Sequence, residues 1–269
     1  MIVDEEIDIL LNDLMELYGY DFTYYSRASL KRRIVRLFML DKFYSFEDFR
    51  GRLRSDTNYI KRFIEEITVN VTEMFRDTSF YKELRNEVLP VLGTHPFIRI
   101  WHAGCSTGEE VYSMAILLKE EGLLDKTLLY ATDINPEVLE TARKGIYKLN
   151  AMKQYSENYI AAGGKQAFSD YYTAKYDHAQ FDTQLMKRAI FSTHNLVSDT
   201  SFNEFQLILC RNVLIYFEKE LQDKVCRLFD ASLDQLGYLA LGAKETLRFT
   251  DIATKYDQLQ SEKIWRKMY

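Results

Sequence analysis

"IRIWHAGCSTGEEVYSMAILLKE", residues 98–120, decides the fold. "PFIRIWHAG" reads as a buried strand, and "GEEVYSMAILLKEEG" carries apolar residues at helical spacing. Between them lies a loop with Gly104 and Gly108. The alternation continues downstream. "KTLLYATDI" is a strand, and "NPEVLETARKGIY" is a helix opened by Asn135 and Pro136, good N-cap and N1 residues. "EFQLILCRN" is a strand, "EKELQDKVCRLFDASLDQLG" a helix ended by Gly237, and "YLALGA" another strand. Strands alternating with helices predict an α/β fold with a parallel sheet, which binds ligands at the carboxyl ends of its strands. "FSDYYTAKYDHAQFDTQLMKRAIFSTHNL", rich in Tyr, Phe and Thr, interrupts the pattern and predicts a small inserted antiparallel hairpin at about residues 168–194.

The first 70 residues read as helices. Ile7, Leu10, Leu11, Leu14 and Leu17 recur at helical spacing, with Gly19 as the C-terminal stop. "SRASLKRRIVRLFMLDKF" is a second helix. "SFEDFRGRL" is a third, with Ser45 as N-cap and Asp48 three residues on, and "SDTNYIKRFIEEITV" is a fourth. The expected organisation is a helical domain over 1–70, a linker and active-site segment over 71–94, and an α/β domain over 95–269.

The 269 residues suffice for one large domain or two modest ones. A net charge of −5 argues against bulk nucleic-acid binding. Cys105, Cys210 and Cys226 lie far apart without a CxxC pair, which argues against a disulfide framework or a metal site. The start, "MIVDEEIDIL", is acidic where a signal peptide is basic, and no apolar run approaches the roughly 20 residues needed to span a membrane. A cytoplasmic protein without membrane insertion is expected.

The loop restricts the ligand. Its G-x-x-x-G spacing is not the dinucleotide fingerprint, and no phosphate-loop GK[ST] is present. Glu109 and Glu110 occupy the helix start, where a pyrophosphate would need a free N-terminus. The charge favours a cationic or neutral ligand such as S-adenosyl-L-methionine, which carries a sulfonium and an ammonium but no phosphate. The plainer reading is that both glutamates only complement the helix dipole. Asp133, at the end of "YATD", stands where an acid commonly grips a ribose diol, or it is simply an acid at a helix start.

"ITVNVTEMFRD", "IWHAGCSTGEEVYSMAILL", "YATDINPEVLETARKGIY", "FSTHNL" and "LILCRNVLIYF", in this order, resemble the CheR family of chemotaxis-receptor glutamate O-methyltransferases. The resemblance runs from about residue 20 to the end. It implies an all-helical N-terminal domain followed by a Rossmann-like S-adenosylmethionine-dependent methyltransferase domain with a small inserted β-subdomain. It also implies residue roles. Asn70, Thr72 and Arg76 match contacts to S-adenosyl-L-methionine or the reaction centre. Glu109 matches the cofactor-binding acid, and Asp133 the ribose-binding acid. Asn195 and Leu196 match a contact near the adenine, Arg211 and Asn212 the cofactor-binding segment that ends the fourth strand, and Tyr216 a tyrosine lining the transfer site. Arg27, Lys31, Arg32, Arg33 and Arg36, with no acid between them, match a basic helix that faces the acidic receptor. In some members the β-subdomain binds a receptor's C-terminal peptide by strand addition.

The residue types suit the chemistry. Methyl transfer to a carboxylate is an in-line displacement, and the acceptor is already ionised at neutral pH. No strong base is needed, and His95, His102, His178 and His194 form no evident acid–base pair. Alignment is what the site must provide, and an arginine is the natural carboxylate clamp. Arg76 is the candidate clamp and Tyr216 its assistant; the structural alternatives are a surface arginine and a core aromatic. His102 and His194 are expected to make structural hydrogen bonds. Met74, Thr78 and "GAKET" from Gly242 depart from the family pattern, where an aromatic, a proline and Gly-His-Ser-Glu are usual. The departures put the substrate in question more than the transfer. The competing readings are transfer to another protein or a small carboxylate, and a non-catalytic cofactor-binding adaptor.

Overall fold

The computed structural model describes residues 2–68 and 70–269. The chain divides into two compact units. One comprises Met1–Asn70 and Tyr216–Val225, the other Val71–Ile215 and Cys226–Tyr269.

The first unit packs four helices, α1 (Asp4–Tyr18), α2 (Arg27–Leu40), α3 (Phe46–Ser55) and α4 (Thr57–Ile67). In α1, Ile7, Leu10, Leu11 and Leu14 are buried, and Gly19 ends the helix at φ 75°. Leu17, expected on the same stripe, is 47% exposed. The Ser45 side chain accepts from the Asp48 N–H as an N-cap, and Asp56 caps α4 through the N–H groups of Asn58 and Tyr59. The expected fourth helix reaches to Val69, which lies outside the described residues; the observed one ends at Ile67. Leu30, Ile34, Phe49, Phe63 and Ile64 complete this core. Residues 216–225 join the same unit. Ser26 N–H donates to the Tyr216 carbonyl (2.8 Å), Glu218 N–H donates to Tyr24 (2.8 Å), and Tyr25 and Phe217 form an isolated antiparallel bridge.

The second unit opens with α5 (Thr78–Glu83), a π-helical turn (Leu84–Val88) and α6 (Leu89–Leu92). Much of the segment expected as a linker is therefore helix. Its apolar side chains Phe80, Tyr81, Leu84, Val88 and Leu92 enter the core. The seven-stranded sheet runs β6-β2-β1-β7-β8-β10-β9. Its strands are β1 (Ile98–Ala103), β2 (Thr127–Asp133), β6 (Ala189–Thr193), β7 (Phe205–Cys210), β8 (Leu233–Leu241), β9 (Tyr256–Gln258) and β10 (Ile264–Lys267). The first five are parallel; at one edge β10 runs antiparallel to β8, and β9 antiparallel to β10. α7 (Glu109–Glu120) and α8 (Pro136–Lys144) follow β1 and β2, α9 (Met152–Ala161) comes next, and α10 (Lys219–Ser232) precedes β8. The chain leaves β1 for β2 on one side and later returns to β7 on the other. The carboxyl ends of β1 and β7 thus form the switch point where open α/β sheets bind ligands.

Two expectations are corrected. The small antiparallel sheet has the order β3-β5-β4, from β3 (Ile146–Lys148), β5 (His178–Phe181) and β4 (Tyr172–Lys175). It thus begins earlier than residue 168, and Ala189–Thr193 instead pairs in parallel with Leu129–Asp133 in the main sheet. The helix expected to run to Gly237 stops at Ser232, because Leu233–Leu241 is drawn into pairing with β7. Gly237 sits inside that strand, where an added Cβ would lie 2.9 Å from Leu233 Cγ.

Candidate active site

The loop after β1 is built on close approach. Gly104 and Gly108 take φ of 78° and 94°, and Ser106 between them takes 50°. A Cβ on Gly104 would fall 2.6 Å from Val213 Cγ2, and one on Gly108 2.7 Å from Ala142 Cβ. Both positions need glycine for conformation and for space. The N–H groups of Gly104 and Cys105 donate to the Thr132 carbonyl at 2.8 and 2.9 Å, which ties the loop to the end of β2. Asp133 completes the tie. Its carboxylate accepts from Ser106 N–H (2.9 Å) and Asn135 N–H (3.0 Å). Burial raises its pKa, and the two backbone bonds offset part of that rise. His194 N–H donates to the Asp133 carbonyl (3.1 Å), which brings the 194–196 segment beside the same acid.

The two adjacent glutamates have different surroundings. Glu110 Oε1 lies 2.9 Å from His102 Nδ1, and its Oε2 accepts from Arg211 Nη1 at 3.2 Å. Burial works against its charge, but His102 and Arg211 outweigh it and hold the carboxyl below the usual glutamate value. Among the described residues no cation pairs with Glu109. Thr107 Oγ1 donates to it at 2.6 Å and Tyr155 OH at 3.4 Å, and burial pushes its pKa up to about 7. Glu110 is therefore a structural anion. Glu109 is a buried carboxylate lacking a counter-ion, which a cationic ligand would supply.

Arg76 lies in an unusual turn. Phe75 and Asp77 on either side have φ of 53° and 59°. For residues with a Cβ this costs roughly 1–2 kcal/mol each. Asn158 Nδ2 donates to the Met74 carbonyl (2.9 Å), and Phe75 N–H donates to Ser113 Oγ (2.9 Å). Arg211 Nη2 donates to the Arg76 carbonyl (3.2 Å) and to Asp77 Oδ2 (2.7 Å). The Arg211 guanidinium also lies 4.0 Å from the Phe80 ring centroid. Arg76 itself is half-buried, and among the described residues its Nη1 makes only a 3.5 Å contact to the Val71 carbonyl.

The sequence candidates thus fall in two groups. Thr72, Arg76, Glu109, Asp133, Asn195, Leu196, Arg211 and Asn212 belong to the second unit. The Asn195 side chain closes a local turn by accepting from Val197 N–H (2.9 Å), and Leu196 is buried. Arg211 is spent within the protein, between Glu110 and the Arg76 turn. Asn212 is left-handed at φ 63°, and its N–H donates to Glu245 Oε2 at 3.0 Å. Asn70, Tyr216, Arg27, Lys31, Arg32, Arg33 and Arg36 belong to the first unit. Arg33 stands 5.6 Å from the Tyr216 ring centroid. Arg27 pairs with Asp8 (2.7 Å) and Lys31 with Asp4 (2.8 Å), so acids of α1 neutralise part of the basic helix.

Sequence reasoning missed Ser113, Asn158 and Glu245. Glu245 accepts from the N–H groups of Gly242 (2.5 Å), Asn212 and Ile215 (3.2 Å), which fastens the segment after β7. Its signal was the glutamate kept in "GAKET". Ser113 and Asn158 gave none, since their partners lie 38 and 84 residues away.

The site fits S-adenosyl-L-methionine. Glu109 and Asp133 are buried carboxylates on the glycine loop's helix and at the end of β2. Ser106 Oγ and Asn135 Nδ2, near these acids in sequence, are buried and lack a partner among the described residues. The parallel sheet, the glycine loop and these acids fit the class of methyltransferases that use S-adenosyl-L-methionine. Comparison with known proteins specifies it. Residues 5–68 match the CheR methyltransferase all-alpha domain, and residues 70–264 the CheR methyltransferase SAM binding domain. "Putative methyltransferase Cher3" of Pseudomonas putida is 46% identical over 98% of this chain and 97% of its own length. A chemotaxis protein methyltransferase of Listeria innocua is 33% identical over 85% of each chain. One of Borreliella burgdorferi is 29% identical over 92% of this chain and 90% of its own. The chain belongs to the CheR methyltransferase family.

Proposed function

We propose that this protein methylates glutamate side chains of chemotaxis receptors, giving γ-methyl esters in the cytoplasm. One observation carries the reading. Arg76 projects from a heavily anchored turn, yet among the described residues its guanidinium has only a long backbone contact. A rigidly based, under-used guanidinium suits a carboxylate acceptor. Bound S-adenosyl-L-methionine supplies an electrophilic methyl group and leaves as S-adenosyl-L-homocysteine. The acceptor carboxylate is ionised, so no side chain has to remove its proton. His102 matches that lack of need, being fully buried against Glu110.

Glu109 and Asp133 hold the cofactor's cationic end and ribose, with Thr72, Asn195 and Leu196 as further contacts. Arg211 and Asn212 support that site. Asn70 and Tyr216 keep the cofactor and transfer-site roles that family resemblance gives them. Arg32, Arg33 and Arg36 steer an acidic receptor, with Arg27 and Lys31 partly neutralised. Strand addition of a receptor's C-terminal peptide to the small sheet is a second contact, supported by the open edge of β4.

The test is incubation with radiolabelled S-adenosyl-L-methionine and a receptor cytoplasmic domain. Base-labile label on the receptor is expected. Cofactor binding with no receptor labelled would sink the proposal.

A further inference from the structure

The three anchors of the Arg76 turn come from separate parts of the second unit. Ser113 is on α7, Asn158 on α9, and Arg211 follows β7. They act on consecutive residues: Asn158 on the Met74 carbonyl, Ser113 on the Phe75 N–H, Arg211 on the Arg76 carbonyl and the Asp77 carboxylate. None of them touches the Arg76 guanidinium in these bonds. They instead hold the backbone on both sides of it in a left-handed conformation that Phe75 and Asp77 would not adopt unaided.

One anchoring helix carries Glu109 and the other reaches it. Glu109 opens α7, where Ser113 Oγ donates back to its carbonyl (2.7 Å), and Tyr155, one turn before Asn158 on α9, donates to its carboxylate (3.4 Å). The Tyr159 ring packs against Phe75 with centroids 5.2 Å apart. The Arg76 turn and Glu109 therefore share one support. Arg211 links that support to Glu110 and, through it, to His102 on β1.

We infer that Asn158, Ser113 and Arg211 are positioning residues. They set the place of Arg76 relative to Glu109, and so the alignment of acceptor with methyl donor. This rests on the reading of Arg76 as the carboxylate clamp. Displacing a clamp by about 1 Å lowers a rate by roughly 10²-fold, so loosening one anchor costs transfer without costing cofactor binding.

A double-mutant cycle on the full chain tests it, with Asn158→Ala and Arg76→Lys read by receptor kcat/KM and by S-adenosyl-L-homocysteine affinity. Asn158→Ala is expected to lower kcat/KM about tenfold or more, with cofactor-product affinity within twofold of the parent. In the Arg76→Lys background, already slow, the same change is expected to cost less than twofold. An equal loss in both backgrounds would overturn the inference while leaving the clamp intact. Wild-type turnover by Arg76→Lys would instead overturn the clamp reading, and the positioning role with it. Ser113→Ala repeats the cycle should Asn158→Ala fail to bind S-adenosyl-L-homocysteine; additive losses there count equally against it.

Discussion

The loop at 104–108 and the turn at 74–77 both run through left-handed backbone, and they hold it by different means. The loop uses glycine at 104 and 108, where φ is 78° and 94° and a side chain would strike Val213 or Ala142. The turn has phenylalanine and aspartate at its left-handed positions, and side chains from distant elements keep it there. The loop's glycines are written locally in the chain, while its third left-handed residue, Ser106, is held by Asp133 at the end of β2. The turn's anchors exist only once the fold has formed. The glycine loop thus rests mainly on its own composition, whereas the Arg76 turn depends on α7, α9 and Arg211 together.

The largest effect is expected at the centre of the turn. Arg76→Ala should lower transfer by about 10²–10³-fold and leave S-adenosyl-L-homocysteine affinity nearly unchanged, as measured by single-turnover labelling and calorimetry. Gly104→Ala tests the loop's side of the comparison. The left-handed penalty and the contact with Val213 should cost about 2–4 kcal/mol of stability, read from denaturant unfolding, together with lost cofactor binding. Unchanged stability would mean that the loop does not need its glycine.

A smaller effect separates the two glutamates. Glu109 has its pKa raised to about 7, so in the free protein it is half protonated near neutrality. A cationic ligand needs the ionised form, so cofactor affinity should rise with pH. Between pH 6 and 7 the rise should be roughly fivefold, below the titration of the cofactor's own amino group. Glu109→Gln should bind weakly at both pH values with no such slope, as read by calorimetry. Glu110, already ionised beside His102 and Arg211, should add no slope in that window. The smallest effect is expected on the basic helix. Arg32→Glu with Arg36→Glu should raise the receptor KM about two- to threefold at low salt, and the difference should fade at high salt.

Legibility in the sequence follows the same division. Strands β1, β2 and β7, helix α7 and the Asn135 cap of α8 could be read, because apolar runs, periodicity and caps are local signals. The end of α10 at Ser232 could not, since pairing of Leu233–Leu241 with β7 overrides a glycine stop signal at 237. Nor could the membership of Ala189–Thr193 in the main sheet, whose partner β2 lies about 60 residues upstream. In the site, Glu109 and Asp133 stood out through their neighbours in sequence. The different charge states of Glu109 and Glu110 did not, because His102 and Arg211 decide them from other strands. Arg211 was read as a cofactor contact, yet its side chain is 3% exposed and is divided between Asp77 and Glu110.

The central claim is that the anchored Arg76 turn presents a glutamate carboxylate to the methyl donor. Its most direct test is peptide mapping by mass spectrometry of a receptor cytoplasmic domain incubated with S-adenosyl-L-methionine and either the parent protein or Arg76→Ala. Methyl groups are expected on glutamate side chains, removable by mild base, with the parent and almost none with the variant. Base-stable methylation, methyl groups on other side chains, or equal modification by both proteins would contradict it.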